Sequence, residues 1–371
     1  MRKIAFIAAS PVTIKAFLMP FVNELKKENQ MHLIANFEDK LDYSFIPKDV
    51  IIHHVKINRN PSIFNDFLAL LQLIKLIYKE DYDVVHSFTP KAGLLAQLAA
   101  FTCRTQNRYH TFTGQVWATK VGLKRYILKQ MDFIIANLST YNFVDSISQR
   151  DFLLKNKVTS ATKSTVLGNG SISGVNLDKF KYCQKKRDNL RESLGLNDEN
   201  FIFLYAGRLK IDKGIPELFT AFNSISKINN CTLVIVGNDE DNLLSKVKDN
   251  KKVIFCGFSD DISAYFSMAD ILCLPSHREG FGNVIIEAAA CGLPSIGSNI
   301  YGLSDAIVDN ETGMLHKVCD PLDLESKMLA VYSDRERLNN LGENSKKRVM
   351  DSFSENLIVT EFINFYRLNN L

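Results

Sequence analysis

The seven cysteines, at 103, 183, 231, 256, 273, 291 and 319, form no C-x-x-C pair and are odd in number. That excludes a disulfide-stapled scaffold and a zinc ribbon, and fits free thiols in a reducing compartment. No window approaches 18 uninterrupted apolar residues, so no membrane-spanning helix is expected. After a first strand at 3 to 9 the chain reads Ala-Ala-Ser-Pro-Val-Thr-Ile-Lys, with no glycine where a dinucleotide fold carries G-x-G-x-x-G. A pyrophosphate needs close backbone approach at that turn, so the absence counts against an NAD-dependent dehydrogenase. The opening MRKIAFIAASP has two basic residues but only a brief apolar run, followed directly by Lys15 and an amphipathic stretch. It reads as a first strand rather than a secretory signal.

What is present is a soluble composition in 371 residues, enough for two domains of middling size. Charge is divided unevenly. Residues 1 to 172 carry 22 Lys and Arg against 13 Asp and Glu, a net +9, and the remainder carries 23 against 28, a net −5. Such asymmetry points to one half facing an anionic partner, either a membrane surface or a nucleic acid, beside the plainer reading of ordinary solvated lysines. Short apolar runs alternate with amphipathic stretches throughout, the pattern of a parallel sheet covered by helices. Strands are expected near 31–35, 50–55, 83–86, 107–111, 133–137 and 164–167, then near 201–206, 231–236, 252–255 and 270–274. Helices are expected at 15–29, 62–79 and 139–153, the second as core packing alone. A polar stretch at about 181–199 reads as the linker.

The stretch from Ser276 to Pro294, SHREGFGNVIIEAAACGLP, organises the rest. A strand end enters a turn through Gly280, Phe281, Gly282 and Asn283, and good helix formers resume from Val284 to Ala290. Backbone N–H groups and the positive end of the helix dipole there favour a phosphate. Glu279 precedes the turn and Glu287 follows with seven residues between, about two helical turns along. The E-x7-E pattern, with its Leu-Pro-Ser and Ala-Cys-Gly-Leu-Pro flanks, resembles the retaining glycosyltransferases of the GT4 type. Gly207-Arg208-Leu-Lys-Ile-Asp-Lys213-Gly214 closely matches that family's G-R-L-x-x-x-K-G segment. Even unaided, a glycine turn presenting an arginine fork and a lysine point charge suits phosphate oxygens.

Weaker matches fall at His86-Ser-Phe-Thr-Pro-Lys-Ala-Gly93, at Tyr109-His110 and at 168 to 180. His86 reads equally as a satisfied core histidine. The resemblance puts His110 against the donor sugar, Gly257 and Phe258 beside the base, Glu287 on ribose hydroxyls and Glu279 on sugar hydroxyls. It implies an α/β protein of the GT-B fold, two Rossmann-like parallel-sheet domains facing across a cleft. The expected division is 1–180 for the acceptor, 200–353 for the nucleotide sugar, and a helix at 354–371 crossing back to the first domain.

The reaction implied is retaining transfer from a nucleotide sugar, most simply a UDP-hexose or UDP-N-acetylhexosamine. The acceptor implied is a polyprenyl-diphosphate-linked saccharide of O-antigen or capsule synthesis. Arg208, Lys213 and the amides after Glu279 would stabilise the departing diphosphate. No aspartate pair in a metal-holding D-x-D arrangement is read in the chain, so no metal or other cofactor is expected. Lys120, Lys124, Arg125 and Lys129 interleave with apolar residues, a pattern that lies on an anionic membrane or equally is a solvated helix face. The first reading places the protein in the cytoplasm, peripheral on the inner face of the plasma membrane, with no nucleic-acid partner. A soluble acceptor, nucleotide-sugar epimerisation and non-enzymatic nucleotide binding are the competing readings.

Overall fold

Parallel strands need a crossover between neighbours, so the strand-helix alternation dictates how this chain folds. The computed structural model describes residues 1–38, 42–58, 62–227, 230–247 and 250–368. The chain divides into two compact units, Met1–Ser173 with Asn356–Leu371, and Gly174–Glu355. The boundary thus falls at 173/174 rather than after 180. The last three residues of the expected 354–371 helix lie outside the described residues.

Unit 1 holds β1 (Arg2–Ile7), β2 (Asn29–Ala35), β3 (Ile51–His54), β4 (Val84–Phe88), β5 (Asn107–Phe112), β6 (Tyr141–Val144) and β7 (Ser164–Thr165). They lie in the order β3-β2-β1-β4-β5-β6-β7, all parallel. The order reverses between β1 and β4, where sheets of this kind bind ligands beyond the strand ends. The turn after β1 manages without glycine: the Ser10 hydroxyl accepts from Val12 N, and Pro11 takes the first helical position. A π-turn at Ile14–Leu18 then precedes Pro20, whose missing N–H cannot join the helical ladder.

Two expectations in this unit change. Residues 133 to 137 are not a strand but the end of the helix Gly122–Leu138, with Asp132, Ile135 and Ala136 buried at helical spacing and Phe133 and Ile134 exposed. The strand lies later, at β6, and the helix after it is Ile147–Lys155. The helix Ile63–Glu80 is not core packing alone either. It buries only Ala69, Leu73 and Ile77, and exposes Ile63, Phe64, Phe67, Leu68, Leu71 and Tyr78.

The helix Glu355–Leu368 completes this unit's core. Phe362 stacks on Phe21 at 4.2 Å, and the Tyr366 hydroxyl meets His86 Nδ1 at 2.8 Å. His86 Nε2 is taken by Thr111 Oγ1 at 2.8 Å, so this histidine is a satisfied core residue.

Unit 2 holds β8 (Phe201–Ala206), β9 (Cys231–Val236), β10 (Val253–Phe255), β11 (Ile271–Leu274), β12 (Ser295–Ser298) and β13 (Gly313–His316), in the order β10-β9-β8-β11-β12-β13. All are parallel, and β8, β9 and β11 are buried along their length. The stretch read as a linker is instead the helix Gln184–Ser193. Its Arg191 is buried, donating to Met268 O at 2.8 Å and Asp270 Oδ2 at 3.3 Å, so the polar composition hid an ordered, packed helix.

Candidate functional site

The carboxyl end of the unit 2 sheet is assembled by backbones that approach too closely for a side chain. Gly214 sits at φ 71°, and a Cβ on it would lie 1.9 Å from Pro275 O, so the turn after β8 is pressed against the end of β11. A Cβ on Gly302, φ 84°, would lie 2.5 Å from Gly280 O and binds the loop after β12 to the same place. Polar contacts stitch the first pair further: His277 N donates to Asp212 O at 3.0 Å, and Arg278 pairs with Asp212 at 2.9 Å.

These contacts bring together residues 66 positions apart. Lys213 Nζ lies 2.5 Å from Glu279 Oε1, which also accepts from the Ser276 hydroxyl at 2.8 Å. Ser276 is fully buried. It is a contact the sequence offers only as a motif flank. Arg208 Nη1 lies 3.4 Å from Glu240 Oε2, and Lys210 Nζ lies 3.0 Å from the same oxygen. Lys210 thus joins Arg208 and Lys213 as a third cation, and charge at every second or third residue of 208–213 was the available signal.

Glu287 sits on the helix Asn283–Ala290, entered through Gly282 at φ 86°. Burial pushes its carboxyl up to about 7, with Lys179 pulling the other way. Gly257 O accepts from Gly237 N, placing Phe258 beside the end of β9 with its ring exposed. Gly207, at φ 152°, opens the arginine loop.

Two expected contacts are enclosed instead. Phe281 is 2% exposed and packs on Phe353 at 5.2 Å, so its ring anchors the turn from the core side. His110, in unit 1, is 1% exposed, with Nδ1 2.9 Å from Ser87 Oγ. Burial lowers its pKa to about 3, so the ring is neutral and held as packing; a Cβ on Gly93 would meet it at 2.4 Å.

D-x-D spacings do occur outside the two motif segments, at 81–83 and 239–241. In the second, Asp239 caps Leu243 N and Leu244 N and Asp241 accepts from Ile211 N. With Glu240 on Arg208 and Lys210, those carboxylates hold the arginine loop in place. Among the described residues, Glu217, His277 and Cys319 bring possible metal-ligand atoms within 4.8 Å of one another, but His277 Nε2 already pairs with Glu217 at 3.0 Å. The arrangement around Arg208, Lys213 and Glu279 is two glycine turns, a set of cations and a half-buried carboxylate, chemistry suited to a sugar ester of a diphosphate.

The sequence profile of Glycosyl transferases group 1 matches residues 186–348, and that of Glycosyl transferase 4-like matches residues 3–146. The chain is 33% identical over 349 residues to the capsular polysaccharide biosynthesis glycosyltransferase CapM of Staphylococcus aureus, covering 92% of this chain and 90% of that one. It is 30% identical over 309 residues to the UDP-Gal:alpha-D-GlcNAc-diphosphoundecaprenol alpha-1,3-galactosyltransferase of Escherichia coli, covering 80% and 78%. Among solved structures, Anabaena HepE in complex with UDP-glucose matches with a TM-score of 0.81 at 17% identity over 100% of both chains, a likeness of fold.

Proposed function

This chain belongs to the glycosyltransferases of the GT4 type with the GT-B fold, and from that premise we propose that it transfers a hexose or N-acetylhexosamine from a UDP-sugar, with retention, to a lipid-diphosphate-linked saccharide in capsule or O-antigen synthesis. The observation that carries the reading is the meeting of Lys213 and Glu279 across two glycine turns at the carboxyl edge of unit 2. Breaking the anomeric bond leaves negative charge on the diphosphate. Arg208 forks onto its oxygens, and Lys213 has protons to spare for a phosphate oxygen while still holding Glu279. Glu279, fixed by Ser276, binds hydroxyls of the donor sugar; Glu287 binds those of the ribose; Phe258 offers an exposed ring to the base. Catalysis is then positioning and electrostatics without a resident metal. Among the described residues no carboxylate is assigned the role of a nucleophile, so retention follows a front-face route.

The lipid-linked acceptor agrees with the printed substrate of the Escherichia coli relative and with the flank of unit 1. Val121, Leu123, Tyr126 and Ile127 are exposed beside exposed Lys124 and half-buried Lys120. Arg125 and Lys129 instead lie over the Trp117 ring, at 5.1 and 5.9 Å. The helix Pro90–Thr102 packs against both this helix and Ile63–Glu80, so the exposed apolar residues of the two belong to one layer. Apolar side chains ringed by lysine suit an anionic bilayer surface. No helix among the described residues is long and apolar enough to cross a membrane.

The test is a thermal-shift panel of UDP, GDP and ADP with their sugars, followed by transfer to a short-chain lipid-diphosphate N-acetylglucosamine. UDP and its sugars are expected to raise the melting temperature, since a ligand that binds only the native state stabilises it. A shift from none of them overturns the reading.

A further inference from the structure

The carboxyl end of unit 2 also holds three side chains that the transfer step leaves unused. Glu217 lies in the first turn of the helix Ile215–Ile225, His277 in the loop after β11, and Cys319 between β13 and the helix Pro321–Ser333. The two helices pack against each other, which carries the loop after β13 to Glu217. A carboxylate oxygen, an imidazole nitrogen and a thiol sulfur thereby lie within 4.8 Å of one another. Hydrogen bonding accounts for only part of this cluster. His277 Nε2 lies 3.0 Å from Glu217 Oε1, but Glu217 Oε2 is buried and has no hydrogen-bond partner among the described residues. A buried carboxylate oxygen left unanswered is costly. Cys319 is held at φ 58°, where glycine sits without strain and a cysteine does not. It is the one exposed cysteine of the seven, and the Glu217 and His277 side chains beside it are 18% and 17% exposed, so the cluster opens to solvent.

The donor set selects an ion. A thiolate, an imidazole and a carboxylate together suit Zn²⁺, whereas magnesium and calcium take oxygen ligands in numbers that one carboxylate does not supply. Bonds of about 2.0 to 2.3 Å to a tetrahedral ion place its ligand atoms roughly 3.2 to 3.8 Å apart. The His277 and Glu217 atoms nearly have that spacing already, and rotation of the exposed Cys319 side chain closes the rest. Charge balances as well. Thiolate and carboxylate neutralise the ion, the thiol proton is released to water, and the neutral imidazole carries its one proton at Nδ1 while Nε2 binds.

We propose that Glu217, His277 and Cys319 form a zinc site, tying the loops after β11 and β13 to the helix that follows β8. Three protein ligands leave the fourth position to water, so the ion is exchangeable rather than locked in. The site stands apart from the transfer step: it holds whether or not the chain takes a UDP-sugar, and stripping the ion leaves turnover intact.

The experiment is titration of the full chain, stripped of metal and kept reduced, with Co²⁺ and then Zn²⁺, for wild type, Cys319→Gly and Glu217→Gln. Cobalt reports a bound thiolate by sulfur-to-metal charge-transfer absorption, and calorimetry reads the melting temperature with and without zinc. Wild type is expected to show that band, to lose it as zinc displaces cobalt, and to melt higher with zinc, since an ion that binds the native state stabilises it. Cys319→Gly should lose both the band and the zinc-induced shift. Without metal it should melt no lower than wild type, because glycine relaxes the φ 58° position. Glu217→Gln should keep the band and bind zinc at least about tenfold more weakly, since even the outer partners of metal ligands are worth about 10- to 100-fold. A wild type that shows no thiolate band, or that zinc does not stabilise, overturns the proposal. So does an equal band in Cys319→Gly, which places the metal on another cysteine, or undiminished zinc affinity in Glu217→Gln.

Discussion

The carboxyl edges of the two sheets are built from the same topology and finished in opposite ways. In unit 2 the edge is closed upon itself: Lys213 is on Glu279, Arg278 on Asp212 and Arg208 on Glu240. Glycines at 214 and 302 let the loops touch backbone to backbone. In unit 1 the edge carries Thr89 at positive φ, the buried Asp145 Oδ1 with no partner among the described residues, and Gln115 and Gln149, each half-satisfied. One edge is preorganised for charge, and the other stores unmet hydrogen-bonding capacity.

The harshest trial of that contrast is Lys213→Ala or Arg208→Ala. Each is expected to lower turnover under saturating donor by about 100- to 1,000-fold, the usual cost of losing one group that answers developing charge. The fold should survive, because both side chains lie at the edge rather than in the core. Near wild-type turnover in either variant would remove unit 2's claim to the leaving group.

Next in size is the flank of unit 1. Lys120→Glu with Lys124→Glu should weaken co-sedimentation with anionic vesicles by at least about 30-fold, at roughly 1 kcal/mol per basic residue near the surface. The attraction should fade as salt rises. Adding Arg125→Glu should instead lower the melting temperature, since that guanidinium donates to Trp117 O and Ala118 O as well as lying over the indole. Equal sedimentation of wild type and the double variant would favour a soluble acceptor.

Glu287 sharpens the contrast through pH. Its carboxyl is raised to about 7 by burial, so the folded protein holds a proton there that the unfolded chain releases near 4.5. Stability from this group is therefore present at low pH and lost as pH rises from about 4.5 through 7. Donor affinity should run the other way, rising through about 7 as the carboxylate becomes free to accept from ribose. Glu287→Gln should flatten both profiles, and calorimetry between pH 5 and 8 reads them; parallel profiles in wild type and variant would clear Glu287 of the role.

The smallest expected effect is none at all: turnover should survive EDTA, with cations of the chain standing against the diphosphate. Loss on chelation and recovery with magnesium would direct attention to the carboxylates at 239–241.

Unit 2's edge was legible in the sequence because its geometry demands particular residues. Only glycine fits where a Cβ would strike Pro275 O, and cations at 208, 210 and 213 declare themselves by spacing. Phe281 was misread because a turn has no periodicity to say which way its ring faces. Residues 133 to 136, Phe-Ile-Ile-Ala, suit a strand or a helix equally until the neighbouring packing decides. Asp145 was invisible for a different reason. An aspartate before a serine cap reads as ordinary helix-start chemistry, and its lack of a partner at Oδ1 exists only once β5, β6 and their loops have come together.

The helix Glu355–Leu368 carries a consequence for how the molecule comes into being. Phe362 and Tyr366 complete the packing around Phe21 and His86, yet they leave the ribosome only after every residue of unit 2. Unit 2 is contiguous and can fold as soon as it has emerged, whereas unit 1, though translated first, waits for its final helix. Birth order and folding order are therefore reversed, and a stop codon before residue 356 should leave unit 2 well formed beside an N-terminal sheet with its aromatic core open to water.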